Sequence, residues 1–321
     1  MSDRASFSLQ VKEELSHVTE RSRESSLAEL HALMLHTGRI LRGAGGKRYI
    51  SARSDSLFAA RKCFTLLRKS FNIYIDICVR KRPNQREYFL LVRDPGAADE
   101  ILRETGLRAG NDGRLYPASD RAPGGKKGRR AFLRGLFTAA GSINSPDRSY
   151  HFQIAPGNTV TLKQALSAME SFGIDGKIKG EGGKGLVYLK DGSLISDMLN
   201  VMGAHGALLR FENERVLKDV RNAVNRQVNC ETANIKKTVR AFEKLKEDIL
   251  FLKKTKEFDR LPEKLREVAE LRLDNPEASL EALGEMLKPQ VGKSGINHRL
   301  RRLSEAAEDK RRELQRGKQQ L

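Results

Sequence analysis

The sequence predicts an α+β fold in which two pseudo-symmetric αββαββα repeats are followed by an all-helical C-terminal region. Three observations carry this reading. The string LHALMLHTG at residues 30–38 returns as LRGLFTAAG at residues 133–141, with leucines, small residues and a closing glycine in the same places. The pattern of helical and strand-like periodicity that follows each copy is also the same. Strand-like runs stop near Glu212, and helical periodicity alone continues from there.

The elements follow in order. Asp3 to Leu15 reads as an amphipathic opening helix through Phe7, Val11 and Leu15. After Gly38 a basic stretch ends in Arg48, Tyr49 and Ile50; after Gly141 come Arg148, Ser149, Tyr150, His151 and Phe152. Ala52 to Arg68 and Ala155 to Met169 show helical periodicity, and each is followed by a matching triplet, Phe71-Asn72-Ile73 and Phe172-Gly173-Ile174. Tyr88 to Asp94 and Gly185 to Asp191 are apolar strand runs, and closing helices carry Ile101, Leu102 and Gly106 in one copy and Met198, Leu199 and Gly203 in the other. Gly180 to Gly185 lacks the Gly-Lys-Ser/Thr order of a phosphate loop and reads as a hairpin turn. Neither repeat can bury a full core alone, so the two are expected to pack as a pair. The boundaries expected are a first repeat over 1–110, a basic glycine-rich linker over 111–130, a second repeat over 131–206, a linker helix over 207–230 and a C-terminal domain with a charged tail over 231–321.

The repeated nine-residue string resembles the helix motif of LAGLIDADG homing endonucleases. The resemblance implies two motif helices packed along a pseudo-twofold axis, and the small residues Ala32 and Gly135 suit close helix contact. In that family the eighth motif position of each copy carries a carboxylate that holds the divalent metal for cleavage. Here the eighth positions are Thr37 and Ala140, neither of which supplies the anionic oxygens that Mg²⁺ requires. A scaffold with no catalytic residue, no metal and no cofactor is therefore expected. The competing reading is a metal-dependent endonuclease with displaced carboxylates, for example Asp147 or Asp175.

The charge balance points to a polyanionic partner, because 60 Lys and Arg stand against 41 Asp and Glu, a net +19. Residues 1–150 carry 28 basic and 16 acidic side chains, whereas residues 151–200 carry 5 of each, so the excess is localised. The densest run, Arg121 to Arg134, contains no acidic residue and is interrupted by Pro123, Gly124, Gly125 and Gly128. In it Lys126, Lys127, Arg129 and Arg130 are candidate phosphate contacts; the alternative is a solvated hinge. An RNA-binding class is disfavoured by the absence of Trp and of any Tyr or Phe run on the charged helices.

The C-terminal third reads as a helix-turn-helix. A helix opens at Pro262, runs through Leu265, Val268, Ala269, Leu271 and Leu273, and ends before Asn275-Pro276. Ser279 caps a second helix over Leu280 to Leu287 with Leu280, Leu283 and Met286 inward. A third helix begins near Gly292 or Ser294 with Ile296, Leu300 and Leu303 as its inner stripe. Its other face carries candidate base contacts Ser294, Asn297, His298, Arg299 and Arg301, with Lys288, Lys293 and Arg302 as phosphate contacts. A helical bundle with a merely solvated basic face is the alternative. Upstream, Asn222, Asn225 and Asn229 fall in helical register beside Arg226. Asn is a poor helix-interior residue, so this stripe is expected to dock or cap the neighbouring domain or to touch DNA.

Taken with the two repeats, the strings NERVLKDVRNAVNRQVNCETANIKKT and LPEKLREVAELRLDNPEASLEALGEMLKPQVGKSGINHRLRRL closely resemble the bacterial WhiA family. The resemblance implies a double-stranded-DNA-binding transcription regulator linked to cell division, chromosome segregation or sporulation, with RNA polymerase or a co-regulator protein as a further partner. A small-molecule substrate and a membrane partner are not expected. Cys63, Cys78 and Cys230 form no C-x-x-C pair, and no long apolar run or signal pattern is present, so a reducing, cytoplasmic, nucleoid-associated location is expected.

Overall fold

A computed structural model describes residues 6–19, 21–83, 85–180 and 185–319. The chain forms two compact units, Met1–Val220 and Arg221–Leu321.

In the first unit, α1 (Phe7–His17) precedes the first repeat, which comprises α2 (Arg23–Thr37), β1 (Gly38–Arg42), β2 (Arg48–Ser54), α3 (Leu57–Phe71), β3 (Asp76–Arg82), β4 (Gln85–Val92) and α4 (Pro95–Thr105). A short hairpin, β5 (Leu107–Ala109) and β6 (Leu115–Pro117), joins it to the second repeat. That repeat comprises α5 (Lys126–Ala140), β7 (Gly141–Ile143), β8 (Phe152–Ile154), α6 (Thr159–Glu170), β9 (Lys177–Lys179), β10 (Leu186–Leu189) and α7 (Gly192–Met202). Both sheets are antiparallel and share one strand order, β1-β2-β4-β3 and β7-β8-β10-β9. The αββαββα plan is therefore present twice.

Equivalent positions perform equivalent jobs. Ser56 and Asn158 cap α3 and α6 by accepting from Ala59 N and Thr161 N, which is why these helices begin later than Ala52 and Ala155. Ala52 is a buried residue of β2 instead. Asp94 and Asp191 end their strand runs as the N-caps of α4 and α7. Asn72 ends α3 in the left-handed region at φ 50°, where Gly173 follows α6 at φ 75°. The shared backbone need explains the Asn/Gly equivalence. The opening helix starts at Phe7 with Ser6 as cap; Asp3 lies outside the described residues, as do Glu181 to Lys184 of the expected hairpin turn.

The motif helices α2 and α5 pack directly against each other at the centre. Gly135 is the point of closest approach: a Cβ built there would lie 2.5 Å from Glu29 O and 2.9 Å from the Ala32 methyl. At the same crossing Glu29, fully buried, accepts from Arg134 through both oxygens, Nε to Oε1 at 2.9 Å and Nη2 to Oε2 at 3.0 Å. Lys62 of α3, also buried, stands 3.3 Å from Glu29 Oε1 and donates to the carbonyls of Leu15 and Val18 at the end of α1. Arg134 closes the basic run read as a phosphate-contacting linker or a solvated hinge; it belongs to the core instead because its position on α5 faces α2. Its equivalent in the first motif is His31. Arg134 Nη1 donates to Met202 O (3.3 Å), and His31 Nδ1 meets Thr105 O at 2.7 Å. Each partner carbonyl ends its own repeat's closing helix, one residue before the left-handed Gly203 or Gly106.

The expected linker over 111–130 is largely structured. It contains β6, and Lys126 to Arg130 are the opening turns of α5. The helix expected over 207–230 is part of a longer one, α8 (His205–Lys254), because its amphipathic sequence continues without a Gly or Pro break. Its first turns bury Ala207 and Phe211 in the first unit's core, and its last turns bury Leu245, Ile249 and Leu252 in the second's.

The second unit adds α9 (Glu263–Asp274), α10 (Leu280–Glu285) and α11 (Lys293–Gln319). The charged tail after Glu308 is helical. Lys310 pairs with Glu257 (2.9 Å) and Arg311 with the buried Asp248 (2.6 Å), which extends α11 well past its apolar stripe.

Removing one member of a buried ion pair strands the other, at a cost of about 3–5 kcal/mol. Glu29→Gln is accordingly expected to lower unfolding free energy by about that amount, measured by urea titration; a change below about 1 kcal/mol would show that the cluster is dispensable. Burial holds His31 down to about 4 from its ordinary 6.5, although the Thr105 carbonyl at its Nδ1 opposes the shift. The unfolded chain therefore takes up this proton first on acidification, so stability falls as pH drops from 6.5 towards 4. The pH dependence of the thermal midpoint is expected to flatten in that window in His31→Leu.

Candidate nucleic-acid interface

The second unit builds a tri-helical surface. Ser279 accepts from Ala282 N (3.1 Å) and starts α10; Leu283 is buried against Leu265, Val268 and Ala269 of α9. Met286, expected inward, is half exposed because α10 ends at Glu285. The turn back to α11 is made at Gly284, whose carbonyl accepts from Val291 N at 3.0 Å. A Cβ on Gly284 would lie 1.9 Å from Val291 O, so only glycine lets the chain return so closely. The helix α11 then presents Ile296, Leu300 and Leu303 to the core, as its periodicity predicts.

The opposite face of α11 is polar and basic. Ser294, Asn297, His298, Arg301 and Arg302 are exposed, whereas Arg299 is half-buried on the flank between the two faces. Lys288 is exposed in the turn, and Lys293 pairs with Glu281 at 3.4 Å. Arg301 donates its Nε to Glu305, one turn on, at 2.8 Å. That hydrogen bond holds the Glu305 carboxyl below its usual range and raises Arg301, with the nearby charges of His298 and Arg302 adding to the effect on Glu305. The basic string between Lys288 and Arg302 does not reveal this carboxylate. The i, i+4 spacing of Arg301 and Glu305 is the signal that could have.

The basic residues near position 126 fall at the start of α5. Lys126, Lys127 and Arg130 are exposed, and Arg129 is half-buried with its Nε unpartnered. Lys126 and Arg130 both lie over the Phe172 ring, at 6.0 and 5.5 Å. Cations at a helix N-terminus oppose the helix dipole, so this end of α5 is electrostatically suited to an anion. A second basic surface comes from strand register: Arg53 pairs with Phe89, which pairs with Cys78, and Arg53 and Arg80 flank the Phe89 ring at 5.8 and 5.3 Å. Arg53 and Arg80 are too far apart in sequence to be grouped without that register.

Asn222, Asn225, Arg226 and Asn229 all lie exposed in the middle of α8. They cap nothing, since the backbone there is satisfied within the helix, and among the described residues these three Asn side chains make no hydrogen bond.

The motif positions that bind metal in nucleases do not fit a divalent ion here. Thr37 is buried with its hydroxyl donated to Leu33 O (2.9 Å), and Ala140 offers only a methyl. Among the described residues no group of three or more His, Cys, Asp or Glu could hold a metal, so Asp147 and Asp175 belong to no such cluster. No helix among the described residues is long and apolar enough to cross a membrane.

Fold and surface together define a two-repeat LAGLIDADG-like domain followed by a helix-turn-helix domain. Family models match in the same order: the WhiA N-terminal LAGLIDADG-like domain over residues 23–108, the WhiA LAGLIDADG-like domain over 129–221 and the WhiA C-terminal HTH domain over 224–307. The chain belongs to the WhiA family. It is 42% identical over 308 residues to a probable cell division protein WhiA of Lachnoclostridium phytofermentans, covering 94% of this chain and 98% of that one. It is 40% identical to the protein of the same name in Heliobacterium modesticaldum, covering 94% and 96%. Among solved structures, full-length WhiA from Thermatoga maritima aligns with a TM-score of 0.58 at 26% identity, covering 95% of this chain and 99% of that one.

Gly284→Ala is expected to destabilise the second unit selectively, by about 1–3 kcal/mol from the forced clash, while the first unit's transition stays in place. Domain-resolved hydrogen exchange would test this, and equal protection of α10 and α11 in the variant would refute the role of the glycine.

Proposed function

We propose that this protein is a sequence-specific double-stranded-DNA-binding transcription regulator, non-catalytic, acting on genes of cell division and chromosome segregation or, where the organism sporulates, of sporulation. The observation that carries the reading is the exposed face of α11, where Ser294, Asn297, His298, Arg301 and Arg302 stand together on a helix held by a glycine-pinned turn. A helix so mounted is the right size and polarity for the major groove. Asn297 suits an adenine edge and Arg301 a guanine edge, while Glu305 keeps the Arg301 fork from sweeping freely. Arg299, on the flank, is better placed for phosphate or groove-wall contact. Lys288, Lys293 and the α5 cations Lys126, Lys127, Arg129 and Arg130 supply charge neutralisation without sequence reading. The relatives' names speak of cell division, which fits this assignment. RNA polymerase or a co-regulator is the protein partner to expect of a regulator with one such reading helix, and a cytoplasmic, nucleoid-associated location follows from binding chromosomal DNA.

The reading as a regulator that does not cut rests on Thr37 and Ala140, whose side chains supply no anionic oxygen. Incubation of the purified protein with Mg²⁺ or Mn²⁺ and a broad duplex pool is expected to leave the DNA intact. Metal-dependent nicking lost on changing Asp147 or Asp175 would overturn it.

Two substitutions separate base reading from charge. Asn297→Ala is expected to cost about 1–3 kcal/mol on selected genomic sites and to leave random duplex affinity nearly unchanged, by fluorescence anisotropy. Lys126→Gln with Lys127→Gln is expected to weaken both and to lower the salt slope by about one unit per lost phosphate contact. Equal losses on cognate and random duplex for Asn297→Ala would remove α11 from base reading.

A further inference from the structure

The short hairpin β5–β6 has no counterpart in the second repeat, and it does one specific thing. Its backbone bridges the first residues of β1, with Ile40 N donating to Gly113 O at 2.7 Å, and this sets Arg39 directly opposite Arg114 in an antiparallel register. Like charges directly across two strands repel. Among the described residues one carboxylate attends the pair: Asp112 Oδ2 lies 3.7 Å from Arg114 Nε, and Asp112 already accepts from Arg114 N and from the Tyr116 hydroxyl, each at 3.0 Å. The Arg39 guanidinium has no ion-pair or hydrogen-bond partner among the described residues.

Both guanidiniums line a cleft of 220 Å³ at the C-terminal end of the first motif helix, together with His36, Tyr116 and Asn158. Ala155 N donates to Ala140 O (3.1 Å), so the Pro156–Asn158 wall of the cleft is fixed to the end of the second motif helix. The cleft thus opens beside the C-terminal ends of both motif helices, and its two arginines make it cationic. His36, exposed at the cleft's edge, is held below its ordinary range chiefly by desolvation, with Lys12 adding and Asp55 opposing.

We propose that this cleft is a binding site for a phosphoryl group, gripped between the Arg39 and Arg114 guanidiniums. Planar guanidinium forks match phosphate oxygens in pairs, and a dianion placed between them turns their repulsion into attraction. The volume suits a phosphate with little attached. The group comes either from a free phosphomonoester or from the backbone of nucleic acid, and the site does not depend on base reading by α11.

The test uses the full-length protein and inorganic phosphate, titrated calorimetrically against a chloride control of equal ionic strength. Saturable phosphate binding is expected, weakened about tenfold or more by Arg39→Gln and by Arg114→Gln singly. Arg86→Gln, an exposed cation elsewhere on the first sheet, is expected to leave it unchanged. Because each substitution relieves repulsion, the thermal midpoint without phosphate should not fall, and its rise on adding phosphate should vanish. Asn297→Ala must retain phosphate binding, which keeps this site distinct from the helix that reads bases. A short random duplex added as competitor then identifies the source. Displacement of phosphate, with weaker duplex binding in the two Gln variants, assigns the site to nucleic-acid backbone; no displacement assigns it to a free phosphomonoester. No saturable binding above the chloride control, or equal binding in wild type and both Gln variants, overturns the proposal.

Discussion

One buried carboxylate organises the first unit. Glu29 lies in the seam between two packed helices with no access to water, so it must be fully hydrogen-bonded, and it is met by Arg134 from the facing helix and Lys62 from α3. The two cations outnumber it, and backbone carbonyls of Leu15, Val18 and Met202 complete their coordination. Because a guanidinium satisfies a carboxylate only in a narrow set of orientations, the cluster selects one relative placement of α1, α2, α3, α5 and the end of α7. Apolar packing alone would tolerate many. The contact requires the helices to touch, and Gly135 against Glu29 O and Ala32 is what allows it.

The same closeness explains what became of the motif's chemistry. With Thr37 turned back on Leu33 O and Ala140 carrying a methyl, the ends of the motif helices are apolar or self-satisfied, and the basic residues around them face a cleft without a cluster of carboxylates. Both sheets keep one topology, and the β5–β6 hairpin that follows the first repeat brings Arg114 to Arg39.

In the second unit a glycine has the corresponding role. Gly284 permits an approach to Val291 that no side chain survives, and α11 leaves that turn with its apolar stripe in the core. Its length depends less on apolar periodicity than on charge, since Lys310 and Arg311 tie the later turns to Glu257 and Asp248. Polar contacts thus position the exposed face of α11, and Glu305 shapes the presentation of Arg301 on it.

The repeat plan, the helix-turn-helix and its inner stripe were legible in the sequence, because each rests on local periodicity and capping chemistry that neighbouring residues supply for themselves. Ser279, Pro262, Ile296 and Leu303 act within a few positions of where they stand. The neutrality of Thr37 and Ala140 was likewise readable, since it is a property of side-chain composition. The destinations of charge were not legible. Arg134, Lys126 and Arg130 sit in one basic run, yet the first is sealed against Glu29 from more than a hundred positions upstream while the others meet solvent and Phe172. Met286 needed the true end of α10. The sequence by itself determined which elements form and in what order, because short-range hydrogen bonds and amphipathic period decide that. Only the tertiary structure decided which cations are core, which are surface and which face each other across a cleft, because burial and strand register join residues that the chain keeps far apart.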